Sequence, residues 1–228
     1  MNHVFGIDGC KSGWIVAEKK IENELNIAFI KSLDQLEKLI RKEAIAGIDI
    51  PLQIHDYGFR MADKEARALL KSRASTIFSA PAKKTLLAKS YRDACEINFS
   101  VCGKKLSKQT WFLFEKIKEA RTLFCQKEKN LKLYEVHPEL SFMAMNDMKV
   151  IEFGKKTNDG FKMRYLLLKK FFPKFNFEEV RAKFKKKDVA DDDILDAVAV
   201  LWSTQKIIDK IVSFVPKDPE TPLSKIYY

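Results

Sequence analysis

The residues of this sequence best suited to chemistry are acidic, and each stands where an apolar segment ends. They are Asp8 in GIDG, Asp49 in GIDIPL, Glu135 in LKLYEV, and the cluster Asp192, Asp193 and Asp196 in DDDILDA. A carboxylate inside an apolar strand is costly to bury unless it is paired or holds a metal, and no Lys or Arg adjoins Asp49 in the sequence. Parallel neighbouring strands bring their C-terminal ends to one edge of a sheet, so Asp8, Asp49 and Glu135 are expected to meet there. Asp192 and Asp196 are four residues apart and Asp193 and Asp196 three apart, so either pair shares a helix face and the periodicity leaves both open. Asp191 and Asp192 suit a helix's first turn through the dipole alone, whereas Asp196 runs directly into AVAVLW, apolar around the whole helix. Oxygen donors without His or Cys select Mg²⁺ or Mn²⁺ over zinc. Three or four carboxylates can bridge two such ions about 4 Å apart, one activating water and the other steadying the leaving oxygen of a phosphodiester.

Other polar residues could serve such a site. Arg60, Asp63 and Arg67 fall on one helical face, where they clamp phosphate or form an ion-pair ladder. Arg73 leads into the loop Phe78 to Pro81, which could cap the site. His137 follows a candidate site strand and either orients a carboxylate and relays protons or packs at the start of a helix opened by Pro138. Lys155, Lys156, Lys162, Arg164 and the run Lys185 to Lys187 track a phosphate backbone or form solvated helix faces.

The elements that must position these residues are legible as periodicities. Val4 to Asp8 and Trp14 to Ala17, joined by GCKSG, predict a β-hairpin, and the alternation of Leu25, Ile27 and Phe29 predicts a third strand. Ser32 and Gln35 predict a capping box for a helix carrying Leu36, Leu39 and Ile40. Ala44 to Leu52 reads as a buried parallel strand ended by Pro51. The β-β-β-α-β order implies an α/β fold with a mixed sheet. A single domain over residues 1–228 is expected, with a partly helical insertion at 57–105 that contains MADKEARALL and the STIFSAP loop. Leu113, Ile117, Ala120 and Phe124 predict a helix, Leu131 to Val136 a fifth strand, Phe161 to Phe172 a helix, and Asp191 the start of the last long one.

Composition narrows the class. Hydrophobic residues make up 46% and charged residues 32%, which excludes a disordered chain. No apolar run is long enough to span a bilayer and the start lacks a signal-peptide pattern, so a cytoplasmic protein without a membrane partner is expected. Cys10, Cys95, Cys102 and Cys125 show neither zinc-site nor disulfide spacing, and no disulfide-linked partner is expected. Lys and Arg number 42 against 31 Asp and Glu, a net charge of +11 that favours a polyanionic partner such as RNA or DNA.

The strings GIDGCKSGW, GIDIPL, RMADKEARALL, STIFSAP, YEVHPE with Glu139, the spacing of Gly160 and Arg164, and DDILDA occur in this order over nearly the whole chain. In them the sequence resembles the family called domain of unknown function 429, described as predicted ribonuclease H-like nucleases. The resemblance implies a ribonuclease H-like fold of five strands flanked by helices. It implies metal carboxylates on the first strand, the fourth strand and the last helix, as in RuvC-type resolvases, which Asp8, Asp49 and the Asp193–Asp196 pair match. Glu135 lies outside that pattern and is expected as a further catalytic carboxylate. Arg60, Arg67, Arg73 and Arg164 are the expected substrate contacts, with His137, Asp63 and Asp192 supporting the ligands. The expected activity is two-metal hydrolysis of nucleic-acid phosphodiesters. Two other readings fit the same hairpin and sheet: a phosphotransferase of the actin and sugar-kinase type, and a non-catalytic nucleic-acid-binding protein.

Overall fold

The computed structural model of the protein describes residues 3–19, 24–40, 43–126, 130–221 and 224–228. Strands β1 (His3–Cys10), β2 (Gly13–Lys19) and β3 (Leu25–Ile30) form an antiparallel meander, and β4 (Ala44–Ile48) and β5 (Leu131–Glu135) add in parallel on the other side of β1. The resulting order 3-2-1-4-5, with helices packed on the sheet, is the ribonuclease H-like arrangement. Between β4 and β5 lie α1 (Met61–Leu70), α2 (Tyr91–Cys102), α3 (Lys108–Phe112) and α4 (Phe114–Cys125). After β5 come α5 (Pro138–Met145), α6 (Asn158–Phe171), α7 (Phe177–Arg181) and α8 (Asp191–Ile208). A short antiparallel pair not anticipated from the sequence, β6 (Phe214–Val215) and β7 (Ile226–Tyr227), reaches the sheet through a bridge from Tyr227 to Val136.

Alternation along the strands sorts side chains between two cores. Phe5, Ile7, Trp14, Val16, Ala46 and Ile48 pack with Phe114, Ile117 and Ala120 of α4. Ile15, Ala17 and Ile27 face α8 and α6. Against β1 the helix α8 sits on bare backbone: a Cβ at Gly6 would lie 2.1 Å from the Leu201 nitrogen and 2.3 Å from the Ala197 oxygen. A Cβ at Gly47 of β4 would lie 2.3 Å from Thr204 Oγ1. These two glycines are a notch cut for α8, and AVAVLW is apolar all round because sheet and helices cover both its sides.

Two local expectations are corrected. The strand read over Ala44 to Leu52 ends at Ile48; the Asp49 amide still donates to the Ile7 carbonyl at 3.0 Å, but Pro51 has no N–H to continue the ladder. The helix expected after Ser32 is a 3₁₀ helix over Leu33–Lys38, without the Ser32–Gln35 capping box: Gln35 Oε1 accepts the Lys31 amide. A three-residue turn lines up Leu33 and Leu36, both buried, with Leu39, which a 3.6-residue turn would splay. Among the described residues no helix is long and apolar enough to cross a membrane, and the four cysteines are free thiols.

Gly6→Ala is expected to destabilise the protein by about 3 kcal/mol or more, because the clash is with helix backbone that cannot step aside. Gly103→Ala, where only the positive φ of 70° resists, is expected to cost about 1–2 kcal/mol. Urea denaturation midpoints of the two variants separate these outcomes.

Candidate metal centre

Register brings the first two carboxylates together. Ile7 of β1 pairs with Ile48 of β4, so Asp8 and Asp49 are the next residues on adjacent parallel strands and turn to the same face. That face carries α8, whose close seating lowers Asp196 onto the pair. Asp8 is 7% exposed, Asp196 3%, and Asp49 is half-buried. The loop before α6 adds a cation: Lys155 Nζ lies 2.7 Å from Asp196 Oδ2 and 2.9 Å from Asp192 Oδ2. Asp196 Oδ1 is buried with no hydrogen-bond partner.

These contacts distinguish the two pairs that helix periodicity left open. Asp192 and Asp196, one turn apart, share Lys155. Asp193 Oδ2 accepts the Ala190 amide at 2.8 Å, closing the first turn of α8. Asp193 still contributes to the field that raises Asp8.

Crowding of like charge dominates the electrostatics. Burial, then the charges of Asp196, Asp49 and Asp193, push the Asp8 carboxyl well above the usual carboxylate range. Burial and then Asp196 raise Asp49 to about 8. Burial raises Asp196 to about 6 against the opposing pull of Lys155. Burial alone would lower the Lys155 ammonium, but Asp196, Asp192 and Asp8 outweigh it and hold the ammonium well above its ordinary value. Lys155 offsets only part of this repulsion, and Asp49, raised to about 8, holds its proton at neutral pH.

The residues fit a divalent cation in their chemistry. The donors are all oxygens, they repel one another, and one buried oxygen has no partner. Asp8, Asp49 and the free Oδ1 of Asp196 are the groups that could hold it. Among the described residues no three His, Cys, Asp or Glu side chains are gathered into a ready-made cage, so an ion would have to draw these carboxylates together.

Several expected site residues are placed elsewhere. Glu135 pairs with Ile48 in register and so points to the opposite face from Asp8 and Asp49. There it receives Arg60 Nη1 and Nη2, both at 2.8 Å, and the Leu52 amide at 2.9 Å. Arg60 is 6% exposed, and it also binds Asp63 and the Gln53 carbonyl. Arg60, Asp63 and Glu135 thus form an interior ion-pair cluster that pins the segment after β4, in place of the expected phosphate clamp and catalytic carboxylate. Arg164, 1% exposed, binds Glu139 through Nε and Nη2 and the Phe153 and Gly160 carbonyls through Nη1. Its expected substrate contact gives way to a bracing role, because no donor faces outward. Arg67 donates to the Ile77 carbonyl and Ser79 Oγ, holding the STIFSAP loop.

Two predicted residues keep unspent polar atoms. Arg73 Nε and His137 Nδ1 are buried without partners. Arg73 lies beside Gly154, next to Lys155, and His137 lines a shallow pocket with Asp49, Pro51, Phe78 and Glu135. Burial lowers the His137 imidazole to about 4, so it is neutral at pH 7. Sequence reasoning missed the placement of Lys155 in the cluster, since a lysine in a basic run carries no mark of the carboxylates it will meet. Glu135 was misplaced because the offset between parallel strands decides the face, and that offset depends on the partner strand.

Residues 6–221 match the family model described as "Protein of unknown function (DUF429)". No curated protein and no solved structure matches the chain.

Two outcomes follow from the charges. A carboxyl raised on folding binds a proton that the unfolded chain has released, so its favourable contribution is full below the unfolded pKa and is lost as pH rises through the folded value. Without divalent ions the protein is therefore expected to lose stability progressively between about pH 4 and pH 8 and to level off above that, and Asp49→Asn to flatten the slope in thermal melts. Arg60→Leu, which strands Glu135 and Asp63, is expected to cost about 3–5 kcal/mol in chemical denaturation.

Proposed function

The chain belongs to the DUF429 family, and we propose that it is a divalent-metal-dependent nuclease acting on RNA or DNA phosphodiesters. The observation that carries this reading is the placement of Asp8, Asp49 and Asp196 within electrostatic reach of one another at the C-terminal ends of β1 and β4, with a buried carboxylate oxygen left unsatisfied. Mg²⁺ or Mn²⁺, when bound, would supply the Lewis acid that activates water and neutralises phosphate charge.

The chain's own residues would supply the rest. Lys155 keeps Asp196 ionised, and the buried position of Asp8 and Asp196 excludes bulk water from the donor set. Arg73, beside Gly154 with an unsatisfied nitrogen, is the arginine best placed to receive a phosphate oxygen. The net charge of +11 favours a polyanion at longer range, and the free cysteines suit a cytoplasmic setting.

Purified protein with Mn²⁺ or Mg²⁺ is expected to cleave at least one of single-stranded, duplex, hybrid and branched substrates. Asp8→Asn and Asp196→Asn are expected to lower the rate on the order of 100-fold or more, and chelator to abolish it. Equal cleavage by the variants would assign the activity to a contaminant and remove the hydrolase reading. Binding without cleavage would leave a non-catalytic nucleic-acid-binding protein.

A further inference from the structure

We infer that the carboxylate cluster takes one divalent ion, and that the Lys155 ammonium stands where a two-ion site would hold its second. This rests on the metal-dependent reading above and replaces its two-ion form.

Asp196 carries the geometry. A carboxylate shared by two ions gives one oxygen to each. Here Oδ2 of Asp196 is given to Lys155 Nζ at 2.7 Å, and Oδ1 alone is left over. Asp192, one turn earlier, spends Oδ2 on the same ammonium at 2.9 Å. A second ion on this side would compete with a charged group already within hydrogen-bond distance of both carboxylates. The free Oδ1 with Asp8 and Asp49 provides for one ion.

Lys155 is also held in place, as a resident counter-ion must be. The Gly154 carbonyl accepts the Thr157 amide at 3.0 Å and Thr157 Oγ1 at 2.8 Å. Gly160 of α6 is packed so closely that a Cβ there would lie 2.0 Å from the Gly154 oxygen. Arg164 Nη1 holds the Phe153 carbonyl at 3.1 Å, while its other nitrogens are locked on buried Glu139. Three successive residues, Phe153 to Lys155, are thus tied to α6 or α8. The lysine side chain is one-third exposed, which keeps its outer side open to solvent.

The test counts ions. Mn²⁺ binding to the full chain, followed by electron paramagnetic resonance and isothermal titration calorimetry, is expected to give one tight ion per chain. Lys155→Met, which keeps the stem and removes the charge, is expected to give two, and Lys155→Arg one. Lys155→Gln provides a second neutral variant, also expected to give two, should the methionine variant fail to fold. Two ions in the wild type, or a count other than two in the folded neutral variant, would overturn the inference and leave the metal-dependent reading standing. No tight ion in the wild type would overturn both.

Discussion

The position of α8 depends on contact between backbone and backbone. Gly6 and Gly47 present no side chain to the helix, so the peptide units of Ala197 and Leu201 rest on β1 itself, closer than any Cβ would permit. That closeness delivers Asp196 to within electrostatic reach of Asp8 and Asp49, with Asp8 and Asp196 themselves buried from water. A side chain at Gly6 would meet helix backbone and lift α8 off the sheet without touching any acidic residue. The notch in the sheet and the charges at its edge are one construction.

The surrounding structure offsets the cost of gathering those charges. Buried carboxylates that repel one another reduce a folding free energy that is only about 5–15 kcal/mol for a typical domain. Two interior ion-pair clusters brace the region from either side: Arg60 with Asp63 and Glu135 ties the segment after β4 to β5, and Arg164 with Glu139 ties α6 to α5 and to the loop bearing Lys155. Each guanidinium is fully occupied by protein oxygens, so these arginines act through rigidity.

Much of this was legible in the sequence, and the exceptions have physical causes. The five strands, the start of α8 at Asp191 and the span of α1 follow from alternation, capping chemistry and turn residues, all local properties. Asp8, Asp49 and Asp196 stood out because a carboxylate bordering an apolar run is anomalous wherever the chain goes. Glu135 looked identical by that criterion and differs by one step of register, which depends on the partner strand. Arg60 and Arg164 read as phosphate ligands because Glu135, which buries the first beside Asp63, and Glu139, which buries the second, are 75 and 25 residues away. Lys155 was hidden for the opposite reason: basic runs are common on solvated surfaces, and only tertiary placement distinguishes a lysine that reaches the acidic residues.

The placement of Asp8 and Glu135 on opposite faces of one sheet edge also separates two kinds of evolutionary freedom. On one face, the acidic residues and α8 are bound to each other by depth and charge, so substitutions there must be compensated together. On the other, Arg60 clamps the segment after β4 at a single anchored corner, and the loop beyond it is held from α1 through Arg67 on the Ile77 carbonyl and Asp63 on the Ala80 amide, contacts that involve none of Asp8, Asp49 and Asp196.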